Sequence, residues 1–265
     1  MKILVTGASG FVGRNLLDKL ENYEVNVLSR KKIPAKDVKV FTGDLFEKEI
    51  LAEASKVDVV VHLAGIVKGN VVKVNYQGTM NLVDACVANK IKKFIFVSSY
   101  NAILDTKYGK SKKAAEEYIK NSGLDYIILR PTVIYGRSNN KDLETLISIL
   151  RKFSIALIPG NGKMKLQPLL VDDLINVLLK IIKTDKKNKT YFLGGEVLSL
   201  NEIVDKICKV LSKKPVKINI PGFIIRILDK NQLLDKTGNL DEIKKDFGFN
   251  PTSFEKGIGY LRHDF

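Results

Sequence analysis

Short runs of apolar, often β-branched residues alternate along the first half of the chain with longer segments whose apolar positions recur every three or four residues. The runs 2–5, 24–28, 38–41, 57–63, 93–98 and 125–130 read as strands. Several are apolar on successive residues, as strands covered on both faces are; Val59-Val60-Val61 and Phe94-Ile95-Phe96-Val97 are examples. Between them 11–21, 71–90 and 109–121 read as helices, the last with Ala114, Ala115, Tyr118 and Ile119 at helical spacing. Such alternation predicts an α/β fold with a doubly wound parallel sheet.

From Thr132 the pattern loosens. Pro159-Gly160-Asn161-Gly162 reads as a turn, 170–183 and 200–212 as helices, 190–193 as a strand, 215–220 as a short extended piece and 239–262 as terminal helices. No Ser/Gly/Pro linker and no internal repeat interrupts the chain. The expected organisation is a sheet domain over 1–155 and a small C-terminal α/β lobe over 156–265, with parts of 165–200 returning to the core.

Composition narrows the partners. The chain has 265 residues and a formal net charge of +15, which favours an anionic ligand. The basic residues are scattered, with local clusters such as Arg30-Lys31-Lys32 and Lys213-Lys214, and no basic-aromatic platform argues for nucleic acid. Cys86 and Cys208 lie far apart, and only His62 and His263 offer imidazole, so neither a disulfide framework nor a metal site is expected. No window approaches 18 apolar residues, and the first strand begins next to the initiator Met; a cytoplasmic protein without membrane insertion is the expectation.

Directly after the first strand comes Thr6-Gly7-Ala8-Ser9-Gly10-Phe11-Val12-Gly13, with a helix starting inside the motif. Glycine permits the tight turn and lets a pyrophosphate approach the backbone, while the helix start offers free N–H groups. The string T-G-x-x-G-x-x-G resembles the fingerprint of extended short-chain dehydrogenases/reductases, the branch that includes nucleotide-sugar epimerases and dehydratases. The resemblance continues in order through Gly43-Asp44-Leu45, His62-Leu63-Ala64-Gly65, Asn75, Val97-Ser98-Ser99, Tyr108-x-x-x-Lys112, Arg130-Pro131, Tyr135-Gly136 and Val171-Asp172-Asp173.

It implies a Rossmann-type NAD(P)-binding domain in which Gly7, Gly10 and Gly13 line the pyrophosphate and Ser9, Phe11 and Val12 belong to the cofactor-binding set. Asp44 and Leu45 flank the adenine, and Ala64 and Gly65 run beneath the nicotinamide-side ribose. Asn75, Ser98, Tyr108, Lys112 and Pro131 complete the cofactor set. Asp44 also reads as an ordinary turn residue, and His62 as a structural residue ending a buried strand. At the end of the second strand Ser29, Arg30, Lys31 and Lys32 stand where a carboxylate would select NAD, and none follows before Asp37. NADP is therefore the expected cofactor, with NAD the alternative if these charges are merely solvated.

Tyr108 and Lys112 are four residues apart, so both project from one helix face. A neighbouring ammonium favours the phenolate, which makes the pair a general acid/base beside a hydride carrier. By resemblance Ser99 donates to the substrate oxygen, with Ser98 as alternative. The implied activity is that of an NAD(P)-dependent epimerase, dehydratase or reductase of a nucleoside diphosphate sugar, with Arg137, Lys163 and Lys165 as candidates for holding the diphosphate. The reading is compatible with a homodimer.

Two spacings depart from the family. Eight residues separate Ser99 from Tyr108 and ten separate Ala64 from Asn75, fewer than in sugar-nucleotide epimerases, so a reduced lid is expected. Pro159-Gly160-x-Gly162 and Leu166-Gln167-Pro168 also resemble atypical members such as the nucleotide-binding accessory subunit of respiratory complex I. A catalytically silent NADP-binding accessory or redox-sensing protein is the alternative function.

Overall fold

The computed structural model describes residues 1–31, 33, 38–137, 141–221 and 234–261. Lys32, Asp37 and His263 lie outside the described residues. In chain order the first elements are β1 (Lys2–Thr6), α1 (Phe11–Leu17), β2 (Glu24–Ser29), β3 (Val38–Thr42), α2 (Lys48–Ala54) and β4 (Val59–His62). A π-helical turn, Val72–Gln77, leads into α3 (Gly78–Ala88), followed by β5 (Lys93–Val97), a 3₁₀ turn (Tyr100–Ile103), α4 (Lys107–Lys120) and β6 (Tyr126–Pro131). Next come β7 (Ile134–Tyr135), α5 (Lys141–Phe153), β8 (Ile155–Pro159), β9 (Lys165–Leu166), β10 (Leu169–Leu170), α6 (Val171–Lys183) and β11 (Lys189–Leu193). The last described elements are β12 (Leu198–Ser199), α7 (Leu200–Val210), β13 (Val216–Ile220), α8 (Asp241–Phe247) and α9 (Phe254–Tyr260).

Seven strands form one sheet in the order β11-β6-β5-β4-β1-β2-β3. The inner pairings from β3 to β6 are parallel, as the successive apolar residues of these strands require. The edge strand β11 runs the same way, since Asn188 N donates to Tyr126 O and Thr132 N to Leu193 O. Strand order reverses between β1 and β4, the switch point of a doubly wound sheet. Leu4, Val60, Phe94 and Ile128 on the sheet pack with Leu82 of α3 and Ile119 of α4, all of them buried.

The chain divides into two compact units, Met1–Pro131 with Ile175–Phe192, and Thr132–Leu174 with Leu193–Phe265. It therefore leaves the first unit earlier than the boundary expected at 155. The reason is α5, whose Leu143, Ile147 and Leu150 are buried with Ile158, Ile203, Ile207 and Phe254 in the second unit's own core. The returning segment, 175–192, falls inside the 165–200 window. In the second unit β7 pairs with β10, β9 with β12 and β8 with β13. Asp173 of the Val171-Asp172-Asp173 motif accepts from Thr252 N at 2.8 Å and Thr252 Oγ1 at 2.9 Å, which ties the start of α6 to the approach to α9.

Tyr135 is 1% exposed and meets Phe254 edge-on, with ring centroids 5.3 Å apart. Its hydroxyl is buried without a hydrogen-bond partner among the described residues. A buried hydroxyl that makes no bond carries its desolvation cost uncompensated. Tyr135→Phe should therefore leave stability unchanged or raise it by up to about 2 kcal/mol. Urea unfolding of both proteins measures this, and a clear loss would show that the hydroxyl is bonded.

Candidate active site

The cleft at the switch point is built by backbone meeting backbone. Gly7 follows β1 with φ +72°, and a Cβ there would lie 2.6 Å from Ala64 N. At Gly13 a Cβ would lie 2.3 Å from Gly7 O, so α1 starts pressed against the turn. Gly10, the residue capping α1, is different, because the nearest atom to its added Cβ is Gly7 O at 3.1 Å. Packing forbids a side chain at Gly7 and Gly13, whereas the bareness of Gly10 keeps the mouth of the cleft open. Phe11 and Val12 begin α1.

The cleft encloses about 320 Å³ and is lined from the carboxyl ends of β1 to β4, including Gly7, Ser9, Gly10, Arg30, Asp44, Leu45, Ala64 and Gly65. Thr6, the first residue of the glycine motif, lines it as well, as do Phe46, Ile66 and Val74, which no glycine motif or charge pattern marked. Asp44 is a turn residue that also lines the cleft. Its Oδ1 accepts from Phe46 N at 2.7 Å, an Asx turn, while the residue still faces the cleft. Arg30 is exposed beyond the buried Ser29, whose Oγ accepts from Lys31 N at 3.2 Å.

Gly65 joins the cleft to the reacting groups. A Cβ at this position would lie 3.1 Å from Asn75 Oδ1 and 3.2 Å from Lys112 Nζ. Asn75 is buried on the π-helical turn. Its Oδ1 accepts from Ile66 N and its Nδ2 donates to Ile66 O, both at 2.8 Å, and Nδ2 also reaches Ser111 Oγ at 3.1 Å. One amide thus fastens the loop after β4 to α4, at a π turn of the kind that collects at functional sites.

α4 begins at Thr106, whose Oγ1 accepts from Gly109 N at 2.8 Å. Only glycine fits at 109, because a Cβ would lie 2.1 Å from Asn101 O. This close approach sets Tyr108 beside the 3₁₀ turn that Ser99 caps, with Ser99 Oγ accepting from Asn101 N at 3.1 Å. Tyr108 is half-buried and hydrogen-bonded to Ser99; burial raises its pKa and the Ser99 bond opposes the rise. Ser98 faces elsewhere, donating to Glu116 Oε1 at 2.5 Å.

Lys112 donates to Val97 O at 3.2 Å and lies 4.7 Å from the centre of the Phe96 ring. Burial pulls its ammonium down to about 8, with the Glu116 carboxylate pulling the other way. Glu116, a residue the motifs did not single out, is 0% exposed and also takes Arg130 Nε at 3.0 Å and Nη2 at 2.5 Å. The signal was there, since Tyr108, Lys112 and Glu116 follow one another at steps of four. Pro131 is buried at the end of β6. Arg137, Lys163 and Lys165 belong to the second unit and are not among the residues lining the cleft. Arg137 Nη2 donates to Tyr260 O at 3.4 Å, while Lys163 and Lys165 are exposed.

A glycine-turn cleft at the switch point of a parallel sheet, with a Tyr and Lys one helical turn apart and the Lys packed behind the cleft-lining Gly65, is the arrangement of a hydride-transfer enzyme of the short-chain dehydrogenase/reductase type. The chain belongs to the NAD dependent epimerase/dehydratase family, whose model matches residues 3–194. It is 26% identical to the UDP-glucose 4-epimerase of Vibrio cholerae, over 94% of this chain and 90% of that one. It is 27% identical to an Escherichia coli O157:H7 relative, N-acetyl-alpha-D-glucosaminyl-diphospho-ditrans,octacis-undecaprenol 4-epimerase, over 86% and 80%. Among solved structures, the Bacillus cereus UDP-glucuronic acid 4-epimerase in complex with UDP-glucuronic acid and NAD superposes with a TM-score of 0.82 at 23% identity, over 100% of both chains. These relatives are enzymes, which supports the enzymatic reading over the silent accessory one. No described helix is long and apolar enough to cross a membrane.

His62, 0% exposed, holds the strand end beneath the cleft. Thr79 Oγ1 gives its proton to Asn75 O and so accepts from His62 Nε2 at 2.9 Å. Nδ1 then faces the Thr6 hydroxyl at 2.6 Å, which suits a neutral ring. Burial first, and the Lys112 charge second, push its pKa from 6.5 to about 3. The folded pKa lies below the unfolded one, so the unfolded chain binds more protons between pH 3 and 6.5 and stability falls as pH drops through that window. The slope contributed by His62 is up to about 1.4 kcal/mol per pH unit. Denaturant titrations at stepped pH should be flatter in His62→Asn than in the wild type, and equal slopes would refute the buried neutral ring.

Proposed function

We propose that the protein is an NADP(H)-preferring epimerase, dehydratase or reductase of a nucleoside diphosphate sugar. The observation that carries this reading is Gly65, whose bare backbone lies against both the dinucleotide cleft and the Lys112 ammonium. Cofactor and acid/base pair are thereby neighbours. A bound nicotinamide supplies a hydride acceptor and donor. The open Gly10 turn and the first N–H groups of α1 take the pyrophosphate, and the free oxygen of Asp44 takes the adenine amino group. Lys112 holds the ribose hydroxyls and sets its charge beside Tyr108. Tyr108 gives or takes the proton of the reacting carbinol at its hydroxyl, and Ser99 orients the substrate oxygen. Arg137, Lys163 and Lys165 of the second unit supply positive charge for the substrate diphosphate.

The preference for NADP rests on Arg30, which lines the cleft at the carboxyl end of β2 where a carboxylate would bond an NAD ribose. NADP(H) should bind at least about tenfold tighter than NAD(H), and Arg30→Asp should reverse the order, as one charge-assisted bond to a 2′-phosphate is worth this much. Equal affinities by fluorescence titration, unchanged in the variant, would return the cofactor to NAD.

The substrate class is tested by thermal stabilisation with UDP-, GDP-, dTDP- and CDP-sugars in the presence of cofactor, followed by turnover of the sugar that stabilises. One nucleotide base should stand out, and Tyr108→Phe should lower kcat at least about a hundredfold while cofactor affinity stays within about twofold. A flat panel with cofactor alone still stabilising would point to the accessory reading.

A further inference from the structure

The surface of the second unit carries a feature that the proposed chemistry does not use. β8 and β13 pair in parallel, with Val216 opposite Ile155, Ile218 opposite Leu157 and Ile220 opposite Pro159. Side chains alternate along a strand, so Ala156 and Ile158 enter the second unit's core while the six paired residues share the opposite face. That face is apolar throughout and open at its middle and at the start of β13: Leu157 is 59% exposed, Val216 57% and Ile218 47%, while Ile155, Pro159 and Ile220 are half-buried. Phe153, the last residue of α5 and two residues before β8, is 58% exposed.

Parallel pairing also brings the two strand starts to one end of the sheet. Val216 N donates to Ser154 O at 2.7 Å there, and Lys213 Nζ donates to Arg151 O. Arg151 and Lys152 before β8 therefore meet Lys213 and Lys214 before β13. Lys152 Nζ sits 5.1 Å from the centre of the Phe153 ring. Neither 151–165 nor 211–221 contains a single Asp or Glu. Aliphatic side chains beside a cluster of cations, with no acid among them, suit a surface whose phosphates are negative and whose next layer is hydrocarbon. A second copy of the chain suits it less, because each molecule carries a formal net charge of +15 and would present the same cations.

We propose that the β8–β13 face docks the protein peripherally on an anionic lipid surface. The ammonium and guanidinium groups at the strand starts meet lipid phosphates, and Phe153, Leu157, Val216 and Ile218 enter the boundary between headgroups and acyl chains.

Sedimentation of the full chain with vesicles tests this, using phosphatidylcholine alone and phosphatidylcholine mixed with phosphatidylglycerol. Binding to the mixed vesicles should be at least about tenfold stronger and should weaken as salt is raised. Leu157→Asn/Ile218→Asn should lower that binding at least about tenfold, and Lys213→Gln/Lys214→Gln should remove the preference for the anionic lipid. Stabilisation by the dinucleotide should be the same in all three proteins, which separates the fate of this proposal from that of the active-site reading. Failure of the wild type to sediment with either vesicle would overturn it. So would a double Asn variant that still binds, or analytical ultracentrifugation showing a wild-type dimer that the Asn variant dissolves.

Discussion

A carboxylate with no access to water organises the candidate active site. Glu116 accepts from Ser98 at the end of β5 and from Arg130 on β6, and it stands on α4 one turn beyond Lys112. Removing one member of such a buried pair strands the other charge at a cost of about 3–5 kcal/mol, so α4 has one acceptable seat against the two strands. Tyr108, two turns back on the same helix, inherits that position. The neighbouring serines part company: Ser98 is bonded to Glu116, and Ser99 to Tyr108.

The same burial that fixes these groups sets their protonation. Lys112, Tyr108 and His62 are each displaced in the direction that favours the neutral form, with desolvation the largest cause in all three. Tyr108 thus rests as a phenol. Lys112, drawn down by burial toward the neutral range, is sensitive to any charge brought near it. The Glu116 carboxylate is the counterweight that keeps its ammonium form available.

How much was legible in the sequence follows from the range of each interaction. The strands of the sheet and the glycine turn are local, written in consecutive residues, and the structure places them where the pattern put them. The short helix α2 and the two-residue strands of the second unit are too brief to leave a period. α5 did carry one, in Leu143, Ile147 and Leu150, but it stood in a stretch that otherwise loosens, and so the boundary between units was set too late. Glu116 left only the faint sign of its spacing from Lys112. Beside Glu117 on a lysine-rich helix it reads as a surface acid, and Arg130, 14 residues away, is what makes its burial tolerable. The pairing of β8 with β13 spans some sixty residues, and no local string announces it.

The excursion of the chain between β6 and β11 also bears on how the protein is made. β11 is the strand that covers β6, yet it is synthesised only after Thr132–Leu174 and most of α6 have left the ribosome. At roughly 5–20 residues per second, β6, with its apolar Ile127, Ile128 and Leu129, spends about 3–12 s as an uncovered edge. Through that interval nascent chains on one messenger present identical unpaired strands to each other. The order of elements that gives the mature sheet its seventh strand therefore also creates a window in which a chaperone, or slow-translating codons placed after residue 193, would decide the yield of folded protein.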